Sequence, residues 1–323
     1  MNLLTESKNA RKLHLQRKFT YNKIKEYHKR FLDKKTNIFS KKYTSLRNCP
    51  VCNHNGYISI FNKSGGIYVK CGRCSMVFLN PVFKESSLKE YYKNLNTDQA
   101  KIISKESKFY REVYSLGLKK IMEYIKSGRI MDIGCCNGFF LDIAREKGWD
   151  TTGVELCLSD AEIARKGGHI IFTEPLETIK FDIKFDAVTL WDVFEHIPNP
   201  QKYLLSLSKI LDNNGVIFMQ IPNSDALAAR IMRERCNMFD GVEHVNLYNP
   251  KTIKKVLRDS GFKILHLSTI ISEMYVINNY LHYENPYFGS IKKTANLSYM
   301  LNEKLIHKNL LGYKMQIVAK KHV

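Results

Sequence analysis

The chain has 323 residues, of which 44% are hydrophobic and 25% are charged, and these proportions suit a folded protein with a sizeable core. No apolar run reaches the roughly 18 residues that a membrane-spanning helix needs, and no apolar stretch near the first residues precedes a small-residue cleavage site. Neither a transmembrane segment nor a secretory signal is therefore expected. The eight cysteines, four of them in two Cys-x-x-Cys pairs, would risk mispairing in an oxidising compartment and favour a reducing cytoplasm.

The basic charge is concentrated in the first part of the chain. The formal net charge is +20, and residues 1–47, with 14 Lys and Arg against 3 Asp and Glu, supply +11 of it. Tyr27 and Phe31 lie four residues apart, a spacing that suits a short helix. One interpretation of residues 1–47 is a solvated helical or partly disordered arm. The other is an anchor for an anionic partner, which would be the inner face of a membrane, a polyanionic glycan or a nucleic acid.

Residues 48–82 form a compact cysteine-rich segment. Eighteen residues separate Cys49-Pro-Val-Cys52 from Cys71-Gly-Arg-Cys74, and Gly65-Gly66 lies between two β-rich runs, as in a hairpin turn. The spacing predicts a zinc ribbon, in which four thiolates close a tetrahedral site; two disulfides or a redox-active pair are the competing interpretations. Because four cysteines leave no open coordination position, the zinc ion is expected to be structural.

Residues 83–128 are predicted to be a helical connector. Apolar positions at helical spacing indicate a helix over 109–126, and Gly128 is expected to end this helix just before the next strand.

From residue 129 to residue 323 the chain alternates strand-like and helix-like segments, the pattern of a parallel sheet with crossover helices. Seven strands are predicted near residues 130–133, 151–155, 169–172, 185–190, 216–221, 262–269 and 314–319. Helices are predicted near residues 138–148, 159–166, 200–211, 225–235 and 250–260. Residues 271–311, which are apolar and rich in Tyr and Asn, are expected to form a substrate-covering insertion before the last strand.

The stretch Ile130–Leu141 is the centre of this region. A short apolar run contains an acid, Asp132, and leads into a turn of small residues between Gly134 and Gly138, after which a helix begins. Glycines at such a turn let the backbone approach a ligand, and the start of the helix offers free N–H groups. The stretch is therefore predicted to be the ligand-binding turn of a nucleotide-type α/β domain.

Several motifs resemble those of class I S-adenosylmethionine-dependent methyltransferases. Met131-Asp-Ile-Gly-Cys-Cys-Asn-Gly138 resembles the first motif of that family, Gly153-Val-Glu-Leu156 resembles the end of its second strand, and Phe185–Pro198 resembles its fourth-strand motif with a Glu-His loop. Gly215–Pro222, His244–Pro250 and Ser260–Phe262 follow in the family's order, so that the resemblance covers about residues 120–320. It implies an α/β fold with a Rossmann-like, seven-stranded, mostly parallel sheet and flanking helices, preceded by the small four-cysteine zinc ribbon. The ribbon, with Cys71-Gly-Arg-Cys-Ser-Met-Val-Phe-Leu-Asn-Pro81 and a predicted Tyr-Tyr helix after it, is similar to that of bacterial methyltransferases that act in sugar and surface-polysaccharide pathways.

The resemblance also implies a set of residues that bind S-adenosylmethionine: Asp132, Gly134, Cys136, Gly138, Glu155, Leu176, Trp191 and Asp192. Gly134 and Gly138 would let the backbone approach the cofactor. Glu155, 23 residues after Asp132, would accept from the ribose hydroxyls unless it is only a surface acid.

Asp132 suits the methionyl ammonium but could instead brace the turn. The stretch 172–176, ending at Leu176, resembles the adenine-side wall, and Trp191 with Asp192 is expected to face the methionine portion. The family usually has glycine where this chain has Cys136, so replacing this cysteine by glycine is expected to tighten cofactor binding.

Methyl transfer is an in-line displacement that needs proximity and alignment, and it needs a base only if the acceptor must lose a proton early. His244, His196 and Glu243 are the candidates, with His244 first because the resembled family places this segment near the acceptor. A structural role for His196 is the competing interpretation.

The sequence therefore predicts a cytoplasmic methyltransferase, peripheral at the inner membrane face if residues 1–47 bind there. Its cofactors would be S-adenosylmethionine and a structural Zn²⁺. Its acceptor would be a sugar nucleotide or a lipid- or polymer-linked sugar in surface glycan biosynthesis, methylated on oxygen or carbon. One alternative is an RNA methyltransferase whose ribbon and basic arm grip phosphates. Another is a non-catalytic binding protein that retains the fold.

Overall fold

The computed structural model describes residues 26–88, 103–104, 107–273, 277 and 302–322. These residues group into two compact units. The ribbon unit takes in residues 26–88, 222–252, 269–273, 277 and 302–314, and the sheet unit takes in residues 103–104, 107–221, 253–268 and 315–322. The boundaries expected from the sequence at residues 47, 82 and 128 stay predictions.

The strands are β1 (Thr44–Ser45), β2 (Tyr57–Lys63), β3 (Gly66–Cys71), β4 (Val77–Leu79), β5 (Val82–Phe83), β6 (Gly128–Ile133), β7 (Trp149–Val154), β8 (Ile170–Phe172), β9 (Phe185–Trp191), β10 (Leu211–Pro222), β11 (Asn246–Leu247), β12 (Phe262–Ile270) and β13 (Lys314–Lys321). The α-helices are α1 (Ser107–Met122), α2 (Phe139–Arg145), α3 (Leu158–Lys166), α4 (Pro200–Ile210), α5 (Leu227–Met232), α6 (Pro250–Asp259) and α7 (Glu303–Lys308).

The sheet unit contains the seven-stranded sheet that the sequence predicts. Its strand order is β12-β13-β10-β9-β6-β7-β8, and β6 pairs in parallel with both β7 and β9. The side chains of Ile130, Met131 and Ile133 in β6 are buried, as expected for a strand covered on both faces. The predicted seven-stranded, mostly parallel fold is confirmed.

Several predicted element boundaries were wrong, and the following three differ at a local backbone feature. The helix predicted over 109–126 ends at Met122, and Gly128, with a φ of 136°, opens β6 instead of ending the helix. The helix predicted near 225–235 ends at Met232, because Arg233 adopts a φ of 49° and a 3₁₀ turn follows. The strand predicted from residue 216 begins at Leu211, ahead of an irregular register that leads to Val216.

The ribbon unit contains a four-stranded sheet in the order β11-β4-β3-β2. The predicted hairpin is present as β2 and β3, joined through Ser64 and Gly65, which both have positive φ values. The short strand β11 comes from far along the chain and pairs antiparallel with β4, so that Asn246 lies opposite Phe78.

The second half of the predicted basic arm packs into the ribbon unit. Phe31 and Phe39 are buried and cluster with Phe83 and Val242. The guanidinium of Arg47 donates to the carbonyl oxygen of Val245 at 2.7 Å, and burial lowers the pKa of Arg47 to about 10. Phe31, Phe39 and Arg47 therefore pack within this unit, while most other side chains of residues 26–47 are exposed or half-buried, and the predicted arm stays a prediction.

Residues 1–25 of the predicted arm and most of the predicted insertion over 271–311 lie outside the described residues. In the part of the chain that the structure describes, no helix combines the length and apolarity that crossing a bilayer requires.

Candidate functional site

The turn after β6 is built from small residues in left-handed backbone conformations. Gly134, Cys136 and Gly138 have φ values of 73°, 49° and 81°. A Cβ atom at Gly138 would lie 3.0 Å from the Cβ of Ala164, so a side chain there would crowd helix α3. The turn closes with a bond from the Gly138 N–H to the carbonyl oxygen of Cys135 at 2.9 Å. At Gly134 and Gly138 the absence of a side chain removes the steric cost that other residues meet in this conformation.

Glu155, which follows β7, braces this turn. One carboxylate oxygen accepts the N–H of Cys136 at 2.9 Å, and the other accepts the N–H of Cys157 at 2.7 Å. Burial raises the pKa of Glu155, and the backbone hydrogen bonds act in the opposite direction. The carboxylate is thus held by two elements at the carboxyl edge of the sheet, where α/β sheets bind ligands.

Asp132 is buried at the end of β6 with 2% of its surface exposed. The hydroxyl of Thr189 on β9 donates to its Oδ1 atom at 2.6 Å. Burial raises the pKa of Asp132 to about 8, partly offset by that hydrogen bond. A buried carboxyl with this pKa would ionise readily beside a ligand cation.

Of the three residues in this turn with left-handed backbone conformations, Cys136 is the one that carries a side chain. A residue with a Cβ atom in the left-handed region costs about 1–2 kcal/mol. Its thiol lies 3.4 Å from Oδ2 of Asp160, and burial raises its pKa. The thiol is therefore a neutral donor to Asp160.

Trp191 closes β9 within an aromatic cluster. Its ring lies 4.7 Å from the ring of Tyr114, 5.1 Å from Phe140 and 4.6 Å from Phe218, measured between ring centroids, and 7% of its surface is exposed. A Cβ atom at Gly117 would lie 2.3 Å from the indole, so α1 passes the indole at close range. The expected contact of Trp191 with methionine stays a prediction.

Asp192 and Leu176 complete the candidate cofactor set. The Asp192 N–H donates to the carbonyl oxygen of Gln220 at 2.8 Å, with Asp192 at a φ of 55°. Leu176 begins a 3₁₀ turn after β8 and is buried with 4% of its surface exposed. The contacts of Asp192 and Leu176 with the cofactor stay predictions.

The three candidate bases belong to different units. His196 ends a 3₁₀ turn of the sheet unit and donates its backbone N–H to the carbonyl oxygen of Val193 at 3.0 Å. Glu243 and His244 belong to the ribbon unit, where Nδ1 of His244 lies 2.7 Å from the carbonyl oxygen of Met238.

The four cysteines of the ribbon converge as their spacing predicts. Sγ of Cys49 lies 3.5 Å from Sγ of Cys74, Sγ of Cys52 lies 3.6 Å from Sγ of Cys71, and all four sulfurs are within 4.8 Å of one another. Tetrahedral Zn–S bonds of about 2.3 Å place thiolates about 3.8 Å apart. The four cysteines therefore form a candidate zinc site.

The two cysteine knuckles have the same backbone geometry. The N–H of Asn53 donates to the carbonyl oxygen of Cys49, and the N–H of Ser75 donates to that of Cys71. Both Asn53 and Ser75 have left-handed φ values, of 55° and 66°. This repeated turn directs each pair of thiols towards the same point.

The structure adds partners that the sequence did not single out. In the sheet unit Thr189 contacts Asp132, and Asp160 contacts Cys136. In the ribbon unit the segment around His244 is held by Tyr68 and Asp240. Asp240 could have been noticed, because it precedes His244 by four residues, but nothing in the sequence links Tyr68 to that segment.

A seven-stranded sheet in this order, with a glycine turn after the first strand and an acid after the second, has the architecture of a class I methyltransferase domain. Residues 107–267 match the Methyltransf_23 family model, which describes a methyltransferase domain. This region of the chain is a methyltransferase domain.

Known relatives resemble parts of the chain at low identity. The ubiquinone biosynthesis O-methyltransferase of Pasteurella multocida is 26% identical over 140 residues, which are 38% of this chain and 55% of that protein. The enzyme of the same name from Pectobacterium carotovorum is 25% identical over 189 residues, 54% of this chain and 74% of that protein. The chain thus spans about half the length of the first of these relatives.

A solved structure of an S-adenosylmethionine-dependent methyltransferase from Clostridium acetobutylicum superposes with a TM-score of 0.47. It shares 15% sequence identity and covers 70% of this chain and 98% of its own.

Proposed function

We propose that this protein transfers a methyl group from S-adenosylmethionine to a small-molecule acceptor. The observation that carries the proposal is the turn from Gly134 to Gly138, with Asp132 buried before it and Glu155 bonded to it, within a methyltransferase domain. The residues present fit the cofactor, because it needs close backbone approach, an acid for its ammonium group and an acid for its ribose.

When bound, S-adenosylmethionine supplies an activated methyl group on its sulfonium. Asp132 would carry the charge opposite the methionyl ammonium, and Glu155 would accept from the ribose hydroxyls while holding the turn. Gly134, Cys136, Gly138, Leu176, Trp191 and Asp192 are the remaining proposed contacts. The residues would mainly align the methyl donor, because a leaving sulfide needs no acid.

The acceptor class is proposed from two sources. The names of the relatives specify O-methylation in ubiquinone biosynthesis, which supports an oxygen acceptor on a small molecule. The ribbon's resemblance to methyltransferases of sugar pathways supports a sugar nucleotide or a lipid- or polymer-linked sugar. In either case His244 is the proposed base, with Glu243 and His196 as the alternatives.

We also propose that the four cysteines hold one structural Zn²⁺ ion. Their sulfur separations of 3.5 and 3.6 Å match a tetrahedral thiolate site with no position left for a substrate. The metal would stabilise the ribbon unit and take no part in methyl transfer.

The decisive experiment is calorimetry with S-adenosylmethionine on the full chain, followed by mass spectrometry of small molecules that co-purify with it. Glu155→Gln is expected to weaken binding of the cofactor by roughly ten- to a hundredfold, because the side chain loses its charge and one acceptor. Glu146→Gln is the matched control, since Glu146 is an exposed partner of Arg111. Absence of cofactor binding by folded wild-type protein would overturn the proposal and favour a non-catalytic binding protein.

The RNA methyltransferase alternative is tested by measuring how the affinity for RNA depends on the salt concentration. Binding to a nucleic acid through several phosphates weakens steeply as the salt concentration rises, whereas a sugar nucleotide carries only two phosphates and gives a much shallower slope. Arg47, one cation of the predicted basic arm, is already engaged with backbone carbonyls of the ribbon unit.

A further inference from the structure

The segment Met238–Val245 of the ribbon unit is organised around one carboxylate. Oδ1 of Asp240 accepts the N–H of Val242 at 2.7 Å and that of Glu243 at 2.9 Å, and Oδ2 accepts the N–H of His244 at 3.1 Å. Three backbone donors on one charged acceptor are strong, short-range bonds. They fix the path of the chain into His244.

The imidazole of His244 is fixed by a backbone carbonyl. Nδ1 lies 2.7 Å from the oxygen of Met238 and 3.7 Å from Oδ2 of Asp240. A carbonyl oxygen only accepts, so Nδ1 carries the proton and the lone pair of the neutral ring is on Nε2. Nε2 is then the ring atom with the lone pair that can take a proton.

The ribbon hairpin holds the same segment from its other side. The hydroxyl of Tyr68 on β3 accepts the N–H of Gly241 at 3.2 Å and donates to the carbonyl oxygen of His244 at 3.3 Å. A Cβ atom at Gly66 would lie 2.0 Å from the carbonyl oxygen of Gly241, so the two backbones are in close contact. The segment then enters β11, which is the fourth strand of the ribbon sheet.

The strands that hold the His244 segment are directly connected along the chain to the four cysteines. Strand β3 ends at Cys71, and Cys74 is followed by β4, which pairs with β11, a strand that begins two residues after His244. Arg47 adds bonds to the carbonyl oxygen of Val245 and to Oδ1 of Asn246. The ribbon is therefore the support on which the His244 segment is built.

We propose that Tyr68 and Asp240 are positioning residues that hold His244 as the Nδ1–H tautomer, with Nε2 as the basic atom. The inference rests on the proposed function of His244 as the base.

The first test is the split between turnover and cofactor binding. Tyr68→Phe keeps the ring that packs against Phe239 but removes the hydroxyl, and we expect kcat to fall by about tenfold while the Kd for S-adenosylmethionine is unchanged. Tyr57→Phe is the matched control, because Tyr57 lies in the same ribbon sheet and its loss of a hydroxyl should leave kcat unchanged. Asp240→Asn keeps an oxygen acceptor for the Val242 and Glu243 amides and should retain more turnover than Asp240→Ala.

The second test reads the tautomer and needs no activity. Nitrogen NMR of histidine-labelled protein, with His244→Gln used to assign the signal, is expected to show a protonated Nδ1 in the wild type. In Tyr68→Phe and Asp240→Ala the signal should shift towards the Nε2–H form that a free imidazole side chain prefers. Unaltered kcat and an unaltered His244 signal in both variants would overturn the inference, and so would an Nε2–H signal in the wild type.

The two proposals fail separately. If the wild type binds no S-adenosylmethionine, the proposed function is wrong, whereas the tautomer measurement still decides whether Tyr68 and Asp240 hold the ring. If methyl transfer occurs but Tyr68→Phe alters only the melting temperature, the hydroxyl is a structural group and the positioning role is wrong.

Discussion

The glycine turn of the sheet unit and the His244 segment of the ribbon unit are each braced by one carboxylate that accepts backbone N–H groups. Glu155 receives its donors from Cys136 and Cys157, which belong to two different βα connections. Asp240 receives its donors from residues two to four positions further along the same segment. The turn is thus held directly by the sheet, whereas the His244 segment is locally shaped and depends on the ribbon for its support. Since His244 is the proposed base and the turn is the proposed cofactor site, we expect changes in the ribbon to act on turnover and changes at the turn to act on cofactor affinity.

The largest expected effect comes from removing a cysteine of the ribbon. Cys71→Ser should lose zinc and destabilise the ribbon unit by several kcal/mol, because a structural zinc site contributes binding energy directly to folding. Turnover should fall with it, while the sheet unit keeps affinity for S-adenosylmethionine. Metal content by mass spectrometry, thermal unfolding and calorimetry measure the three quantities.

The control for this change is Cys157→Ser, because Cys157 is exposed and its thiol lies beside Ser159 and not among the four cysteines. This variant should keep one zinc per chain. Less than about half an equivalent of zinc in reduced wild-type protein would remove the metal assignment altogether.

The same comparison shows what the sequence could predict. The seven strands, the glycine turn and the converging cysteines follow from residue types at short, regular spacings, which local physics constrains. The bonds that run from Tyr68 and Arg47 to the His244 segment join residues 173 to 199 positions apart, as between Tyr68 and Gly241 or Arg47 and Asn246. No periodicity or spacing reports such pairs. The packing of Phe31 and Phe39 is invisible in the sequence for the same reason, because their partners Phe83 and Val242 are distant along the chain.

A smaller effect should appear in the pH dependence of stability. Burial raises the pKa of Asp132 to about 8 from its ordinary value of 3.8. At a pH between these two values the folded state therefore keeps a proton that the unfolded state has released. This group therefore stabilises the protein most at low pH, and its contribution is lost as the pH rises through about 8. Relative to the wild type, Asp132→Asn should gain stability steadily from pH 4 to pH 8, by an amount on the order of a few kcal/mol.

The measurement is chemical denaturation of the cofactor-free protein at several pH values. Asp150→Asn serves as the reference, because Asp150 is exposed on β7 of the same sheet. A constant stability difference between Asp132→Asn and wild type across this range would contradict the burial argument.

The smallest effect tests the weak point of the glycine turn. Cys136→Gly relieves the cost of a Cβ atom at a φ of 49° and should stabilise the sheet unit by about 1 kcal/mol, tightening S-adenosylmethionine binding several-fold. Cys136→Ala separates the two possible causes, since it keeps the Cβ atom and removes only the thiol contact with Asp160. If strain in the turn limits affinity, calorimetry will show tighter binding for glycine alone. If both variants bind equally tightly, the thiol and its carboxylate partner limit affinity instead, and the backbone argument for Cys136 is wrong.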